Sequence, residues 1–195
     1  MSQPLVCHIS ETIAYIALGA NDLAQARQIQ TRLAGALEAI ESDDVRVISV
    51  SRYYKTPCFP AGAGPDFVNA AAALATILTP EALLRHLHRT EAEFGRKRRE
   101  RWGMRPLDLD LLAFGGEIRP SLAEFERWRD LPPDQQRRVA PDRLILPHPR
   151  LQDRAFVLVP LADVAPEWVH PVSHRTVRQM CDALSEDEKR DVVAL

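Results

Sequence analysis

Two aspartates, Asp108 and Asp110, stand two positions apart in "RPLDLDLLAFG" (105–115), a segment that is apolar after Arg105. In a strand, successive side chains point to opposite faces. Leu107, Leu109 and Leu111 then share a face that can reach a core. Asp108 and Asp110 share the other, roughly 6–7 Å apart. Carboxylates this close repel, and one takes up a proton unless a cation lies between them. Two readings stand: a half-exposed strand with a solvated outer face, or a divalent metal site. Aspartate oxygens suit Mg²⁺, which takes one or two protein carboxylates and completes its shell with water and phosphate oxygens.

Cations crowd the approach to this strand. "GRKRRERWGMR" (95–105) carries Arg96, Lys97, Arg98, Arg99, Arg101 and Arg105 against Glu100. Such a run is ordinarily a solvated loop. Beside paired carboxylates it is also what a Mg²⁺-bound polyphosphate requires, because arginine forks bind two oxygens at once. Trp102 could stack on a ring or anchor the loop. "LPHPRLQDRAF" (146–156) adds His148, Arg150 and Arg154. Prolines flank His148 and hold it on a rigid turn, where it can donate a hydrogen bond or carry partial charge. Asn69 falls in an apolar strand, as a satisfied core amide or a reader of a heterocycle edge. Phe67 and Phe156, taken singly, read as core.

Composition bounds the rest. The chain has 195 residues, 46% hydrophobic and 27% charged, with a net charge of −2. One soluble domain is expected, and no global field drives it onto nucleic acid or membrane. The apolar run "NAAAALATIL" is too short to span a bilayer. No signal peptide is read at the N-terminus. Cys7, Cys58 and Cys181 lie far apart without a C-x-x-C, so neither disulfide framework nor zinc site is indicated, and cytoplasm is the expected compartment. Walker, Rossmann, G-x-S-x-G and H-E-x-x-H patterns are missing. A ferredoxin-like RNA-binding module would need aromatics where "LDLDLLAF" has acids.

Elements that could position these residues follow from periodicity. A strand is expected over 12–18. A helix capped by Asp22 carries Leu23, Ala26, Ile29, Leu33, Leu37 and Ile40 on one face. Strands follow at 45–56 and 67–78, joined by a proline- and glycine-rich loop, 57–66. Thr79-Pro80 starts a second helix, with Leu83, Leu84, Leu87 and Phe94, that Gly95 ends. "LDLDLLAF" is the next strand. The order β-α-β-β-α-β predicts an α+β, ferredoxin-like sandwich, with two helices on one sheet face and the other face open. Residues 116–142 read as a surface insertion. Over 143–168 a short strand, a proline-bounded turn and an apolar strand are expected, then a helix at 173–184 capped by Ser173. The whole, 1–195, is read as one domain: a sandwich at 12–115, the insertion, and completion of the site by 143–185.

The motifs "AYIALGAN" (14–21), "YYKTP" (53–57), "DFVNAA" (66–71), "RWGMRPLDLDLLAFG" (101–115) and "LPHPRLQDRAFVLVPLADVAPE" (146–167) resemble the 6-hydroxymethyl-7,8-dihydropterin pyrophosphokinase family of the folate pathway. The resemblance implies transfer of the diphosphate of ATP to the pterin hydroxymethyl group, with release of AMP. It implies two Mg²⁺ ions on Asp108 and Asp110, with Arg96 and Arg105 also catalytic. Glu91, Arg105, Leu111, Arg143, Ile145, His148 and Arg154 match positions around the nucleotide, together with Trp102. Arg96 and one or more of Lys97, Arg98 and Arg99 match a basic loop that closes over it. Thr56, Pro57, Phe59, Phe67, Asn69 and Phe156 match a pterin pocket in which two rings sandwich the heterocycle and the Asn69 amide meets its edge. Small-molecule substrates and a monomer are implied as well.

Overall fold

The structure, a computed structural model, describes residues 10–22, 25–58, 64–96, 105–132, 135 and 139–195. Its centre is an antiparallel sheet. The first elements are β1 (Thr12–Asn21), α1 (Ala26–Ile40), β2 (Val45–Val50), β3 (Tyr54–Thr56), β4 (Phe67–Thr76), α2 (Pro80–Glu93) and β5 (Arg105–Phe114). The sheet runs β5–β1–β4, and β2 and β3 both pair with β4, at its two ends. The strand expected over 45–56 is therefore two strands. At the break Ser51 bonds Ala71 twice, donating its N–H to the carbonyl and accepting the Ala71 N–H on Oγ, each at 2.9 Å.

One face of the sheet packs on α1 and α2. Ile29, Leu33 and Ile40 of α1 and Leu83 and Leu87 of α2 meet Ile16, Leu18, Leu74, Leu107, Leu109 and Leu111 in one core. That places the three leucines of β5 where the alternation put them. The α1 start differs from expectation: its cap is Gln25, whose N–H the Gln28 side chain accepts at 3.0 Å. Asp22 pairs instead with Arg32. For α2 the expected Thr79 cap is present, accepting from Ala82 N–H at 3.2 Å. Gly95 follows with φ +86°, a conformation that side chains disfavour.

The second face is not open. The expected strand within 155–164 is a helix, α4 (Ala155–Val164), after α3 (Leu122–Arg129). Val157, Leu158 and Leu161 of α4 form a second core with Ala71 and Leu112 of the sheet and Val177 and Met180 of α5 (Val177–Asp182). The alanines of β4 let the helix approach closely. Asp163 of α4 accepts from the Arg52 N–H at 3.2 Å and the Tyr54 hydroxyl at 2.8 Å, tying the helix to the strand break. Helix α5 starts later than expected, capped by Thr176 and not Ser173, because Thr176 and Gln179 exchange a capping box. Beyond it lie α6 (Glu186–Arg190) and β6 (Val193–Ala194), which pairs with β3. The extra C-terminal strand is thus at the chain end and not in 143–168.

Residues 116–142, expected as a surface insertion, are also anchored. Ser121 caps α3, Phe125 is fully buried, and Arg119 and Leu146 exchange backbone bonds at 2.9 and 3.1 Å. Cys58 and Cys181 are free thiols.

Candidate active site

The acidic pair sits on β5, and two arginines pair with its first member, Asp108. Asp108 faces Gly19 and Asp110 faces Ala17 across the β1 pairing. Both carboxylates are half-buried. Asp108 pairs with Arg96 through one oxygen and with Arg105 through the other. Arg96 also pairs with Glu91 of α2, whose carboxylate is 1% exposed and accepts the Leu109 N–H at 2.8 Å. Glu91 therefore locks the back of the acidic strand to the helix and holds Arg96 forward. Hard oxygen donors side by side, with opposing charge supplied by neighbouring guanidinium groups, fit a Mg²⁺ bound by two carboxylates and phosphate. Among the described residues no cluster of three or more His, Cys, Asp or Glu could hold a metal.

A cleft of about 440 Å³ opens beside Asp110. Its lining includes the predicted Leu111, Arg143, Ile145, His148 and Arg154, plus Leu84, His88, Trp128, Val139 and Arg150. β5 carries an extra residue, Leu112, opposite Tyr15 and Ile16. The Leu112 carbonyl accepts the His148 N–H at 2.7 Å, so this bulge fixes the histidine turn beside the strand. The Arg150 N–H donates to His148 Nδ1 at 3.1 Å, which leaves the neutral ring's proton on Nε2. Burial, then the charges of Arg154 and Arg150, push the imidazole pKa down to about 3. His148 is thus a neutral donor at ordinary pH. Burial also lowers Arg154, and the Asp110 carboxylate opposes that shift. Arg154 lies over the Phe156 ring at 5.6 Å.

Thr56, Phe67 and Asn69, matched to the pterin pocket, lie at the same end of β1 as the acidic pair, because Asn69 and Asp108 both face Gly19 from opposite sides. Asn69 and Thr56 are both 6% exposed, and the Asn69 amide donates to the Thr56 hydroxyl at 2.8 Å. A Cβ on Gly19 would come within 2.9 Å of Asn69 Oδ1. A larger residue there would force the Asn69 side chain to shift. Asn21 accepts the Arg105 N–H at 2.9 Å and donates to the Pro65 carbonyl at 3.4 Å, joining the acidic strand to the 57–66 loop. Lys55 and Asp66 pair at 2.9 Å across the mouth of that loop, next to Pro57. Phe67 is half-buried beside Thr56, and Phe156 is 41% exposed on α4. Phe59, Lys97, Arg98, Arg99 and Trp102 lie outside the described residues.

A family model described as 7,8-dihydro-6-hydroxymethylpterin-pyrophosphokinase (HPPK) matches residues 15–166. The chain belongs to the HPPK family. Every residue the sequence singled out for the site lies inside that stretch. A 2-amino-4-hydroxy-6-hydroxymethyldihydropteridine pyrophosphokinase of Pseudomonas aeruginosa is 44% identical over 155 residues, 78% of this chain and 80% of the relative. One of Methylorubrum extorquens is 38% identical over 169 residues, 86% of this chain and 90% of the relative. A crystal structure of Plasmodium falciparum HPPK-DHPS superposes with a TM-score of 0.60 at 16% identity, covering 93% of this chain and 46% of that one. An HPPK-DHPS complex with substrates gives 0.63 at 15% identity, covering 93% and 44%. At these identities the likeness is one of fold, and this chain spans under half of those longer chains.

Within this HPPK chain, Gly19, Asn21, His88 and Trp128 were not singled out from sequence. Gly19 and Asn21 had a signal, "GAN" at the end of a strand, that reads equally as a strand breaker. His88 sits one helical turn beyond Leu84 on α2 and could have been placed with it. For Trp128 no local signal exists, because only the docking of α3 brings it to the cleft.

Proposed function

We propose that the chain transfers the diphosphate of ATP to the hydroxymethyl group of 6-hydroxymethyl-7,8-dihydropterin and releases AMP, as a pyrophosphokinase of folate biosynthesis. The observation that carries this reading is the Asp108–Asp110 pair, with two arginines on Asp108, opening onto a cleft with both apolar and cationic lining. Asp108 and Asp110 would hold Mg²⁺, two ions in this reading. Bound Mg²⁺ neutralises phosphate charge and draws electron density from the phosphorus under attack.

The protein's own groups position and neutralise. The pterin hydroxyl oxygen bonds the β-phosphorus as its proton passes to solvent, and the bond from that phosphorus to the α,β-bridging oxygen breaks, so that AMP departs carrying that oxygen. No side chain needs to form a covalent intermediate. Arg96 and Arg105 pair with Asp108 and would turn from it toward phosphate oxygens. His148 donates from Nε2 without carrying charge, and Arg154 and Arg150 supply the positive field beside it. Glu91 holds Arg96 and the strand in register. Thr56 and Asn69 offer the hydrogen-bonding edge for the pterin, with Phe67, Phe156 and Phe59 as its apolar walls, and the loops at 57–66 and 95–106 would exclude water. Lys97, Arg98 and Trp102 belong to the second loop and to the nucleotide in this reading.

The same reading takes 1–195 as one domain built on a ferredoxin-like unit, supported by two cores on opposite faces of a single sheet. A monomer working in the cytoplasm is proposed on the family resemblance alone. The deciding experiment is AMP release measured with and without hydroxymethyl-dihydropterin. Pterin-dependent AMP is expected, falling about 10³-fold or more in Asp108→Ala and Asp110→Ala. AMP formed equally fast without pterin, or alanine variants that keep their turnover, would end this reading.

A further inference from the structure

The 116–142 segment supplies none of the residues that the family resemblance assigns, yet the fold brings it to the cleft. Two contacts hold it there, and a third orients Trp128 within it. Phe125 is fully buried, with its ring 5.7 Å from that of His170. Arg119 and Leu146 exchange two backbone hydrogen bonds, which pins the start of the segment to the histidine turn. Trp128, one turn beyond Phe125 on α3, donates its indole N–H to Glu124 Oε1 at 3.1 Å. The ring is therefore oriented from within its own helix, and its polar atom is already satisfied.

Trp128 lines the 440 Å³ cleft together with Val139, Leu84, Leu111 and Ile145. It also lines a second, neighbouring recess of about 410 Å³ with Arg127 and Arg143. The indole thus stands between the two. The apolar lining of the first cleft suits a flat heterocycle, whereas Asp110, His148, Arg150 and Arg154 suit metal and phosphate. We propose that Trp128 is a base-recognition residue: its indole packs on the purine of the nucleotide, and through it helix α3 sets nucleotide affinity. The inference rests on the nucleotide half of the function proposed above. With its N–H engaged by Glu124, the ring offers π and apolar surface and no hydrogen bond to the base. It therefore favours any purine nucleotide over a base-free polyphosphate, and does not distinguish adenine from guanine.

The test is calorimetric titration of the full chain, with Mg²⁺ present, by α,β-methylene-ATP and separately by inorganic tripolyphosphate. Trp128→Ala should weaken the ATP analogue about tenfold, the scale of one aromatic–base stack, and leave tripolyphosphate unaffected. Trp128→Phe keeps a ring and should stay within about twofold. In turnover the loss should fall on the KM for ATP. An unchanged affinity for the analogue in Trp128→Ala overturns the proposal. So does equal weakening of both ligands, which would mean that the phosphate side had been disturbed. A wild-type chain that binds neither ligand overturns the broader nucleotide reading and this proposal with it. A wild-type chain that binds the analogue but makes no pterin-dependent AMP overturns only the proposed reaction.

Discussion

Gly19 shows how one hydrogen in place of a side chain can set specificity. Its position across from Asn69 leaves room for an amide oxygen that a methyl group would crowd. The amide is otherwise held by its bond to Thr56. Gly19→Ala should therefore turn or displace the Asn69 amide and raise the KM for pterin about tenfold, the worth of one hydrogen bond, with the KM for ATP nearly unchanged. Steady-state kinetics with each substrate varied in turn checks this, and equal effects on both KM values would contradict it. The neutral state of His148 belongs to the same scale. With the imidazole pKa near 3, the ratio of wild-type to His148→Gln activity should stay flat from about pH 6 to 8, outside the ring's titration. A ratio that changes across that range would show that the imidazole titrates within it.

At the scale of elements, β4 and α4 explain each other. Residues 67–76 are buried almost throughout, without alternation. A strand apolar on both sides must be covered on both sides. Helix α4 is that second cover, and its buried positions Val157, Leu158 and Leu161 follow helical spacing. The segment "AFVLVPLADV" misleads because it is apolar nearly all round, so a buried strand and a buried helix look alike in it. Pro160 inside the helix adds to the confusion. Leu158 is fully buried, and Leu158→Ala should cost about 2–5 kcal/mol, read from urea denaturation. A change within about 0.5 kcal/mol, typical of a surface position, would contradict the docking of α4 on the sheet.

The whole molecule carries a pH dependence through His170, which is 2% exposed. Its Nδ1 accepts from Val172 and Ser173 N–H, both at 3.2 Å, and among the described residues Nε2 finds no partner. Burial, then the nearby Arg129 and His174 charges, push its pKa down to about 4. A histidine with a lowered folded value binds protons more tightly in the unfolded chain. Its contribution is complete above the unfolded value of about 6.5 and drains away as pH falls toward the folded value. His148 acts in the same direction. The melting temperature should therefore fall between about pH 7 and 5, and more gently in His170→Asn, which cannot titrate. Parallel curves for the two proteins would exclude His170 as a source. The ring sits tilted against Phe125 and edge-on to Trp168, so this titration tests the join that holds α3 against the rest of the fold.

What the sequence determined by itself was the chemistry and its local frame. Residue types at fixed spacing on one strand decide which side chains share a face. So Asp108 and Asp110 were paired, and the three leucines were sent to the core, by geometry that needs no partner. The Thr79-Pro80 start of α2 was equally local. What only the tertiary structure decided were relations between segments distant in the chain. Asp22 serves Arg32 and not a helix cap; Glu91 reaches the backbone of Leu109; Leu112 bulges to hold the His148 turn; α4 closes a face that was expected to be open; and α3 carries Trp128 into the cleft. Periodicity records how a residue lies relative to its neighbours in sequence. Burial, charge pairing and cleft walls depend on which surfaces meet once the chain has closed on itself.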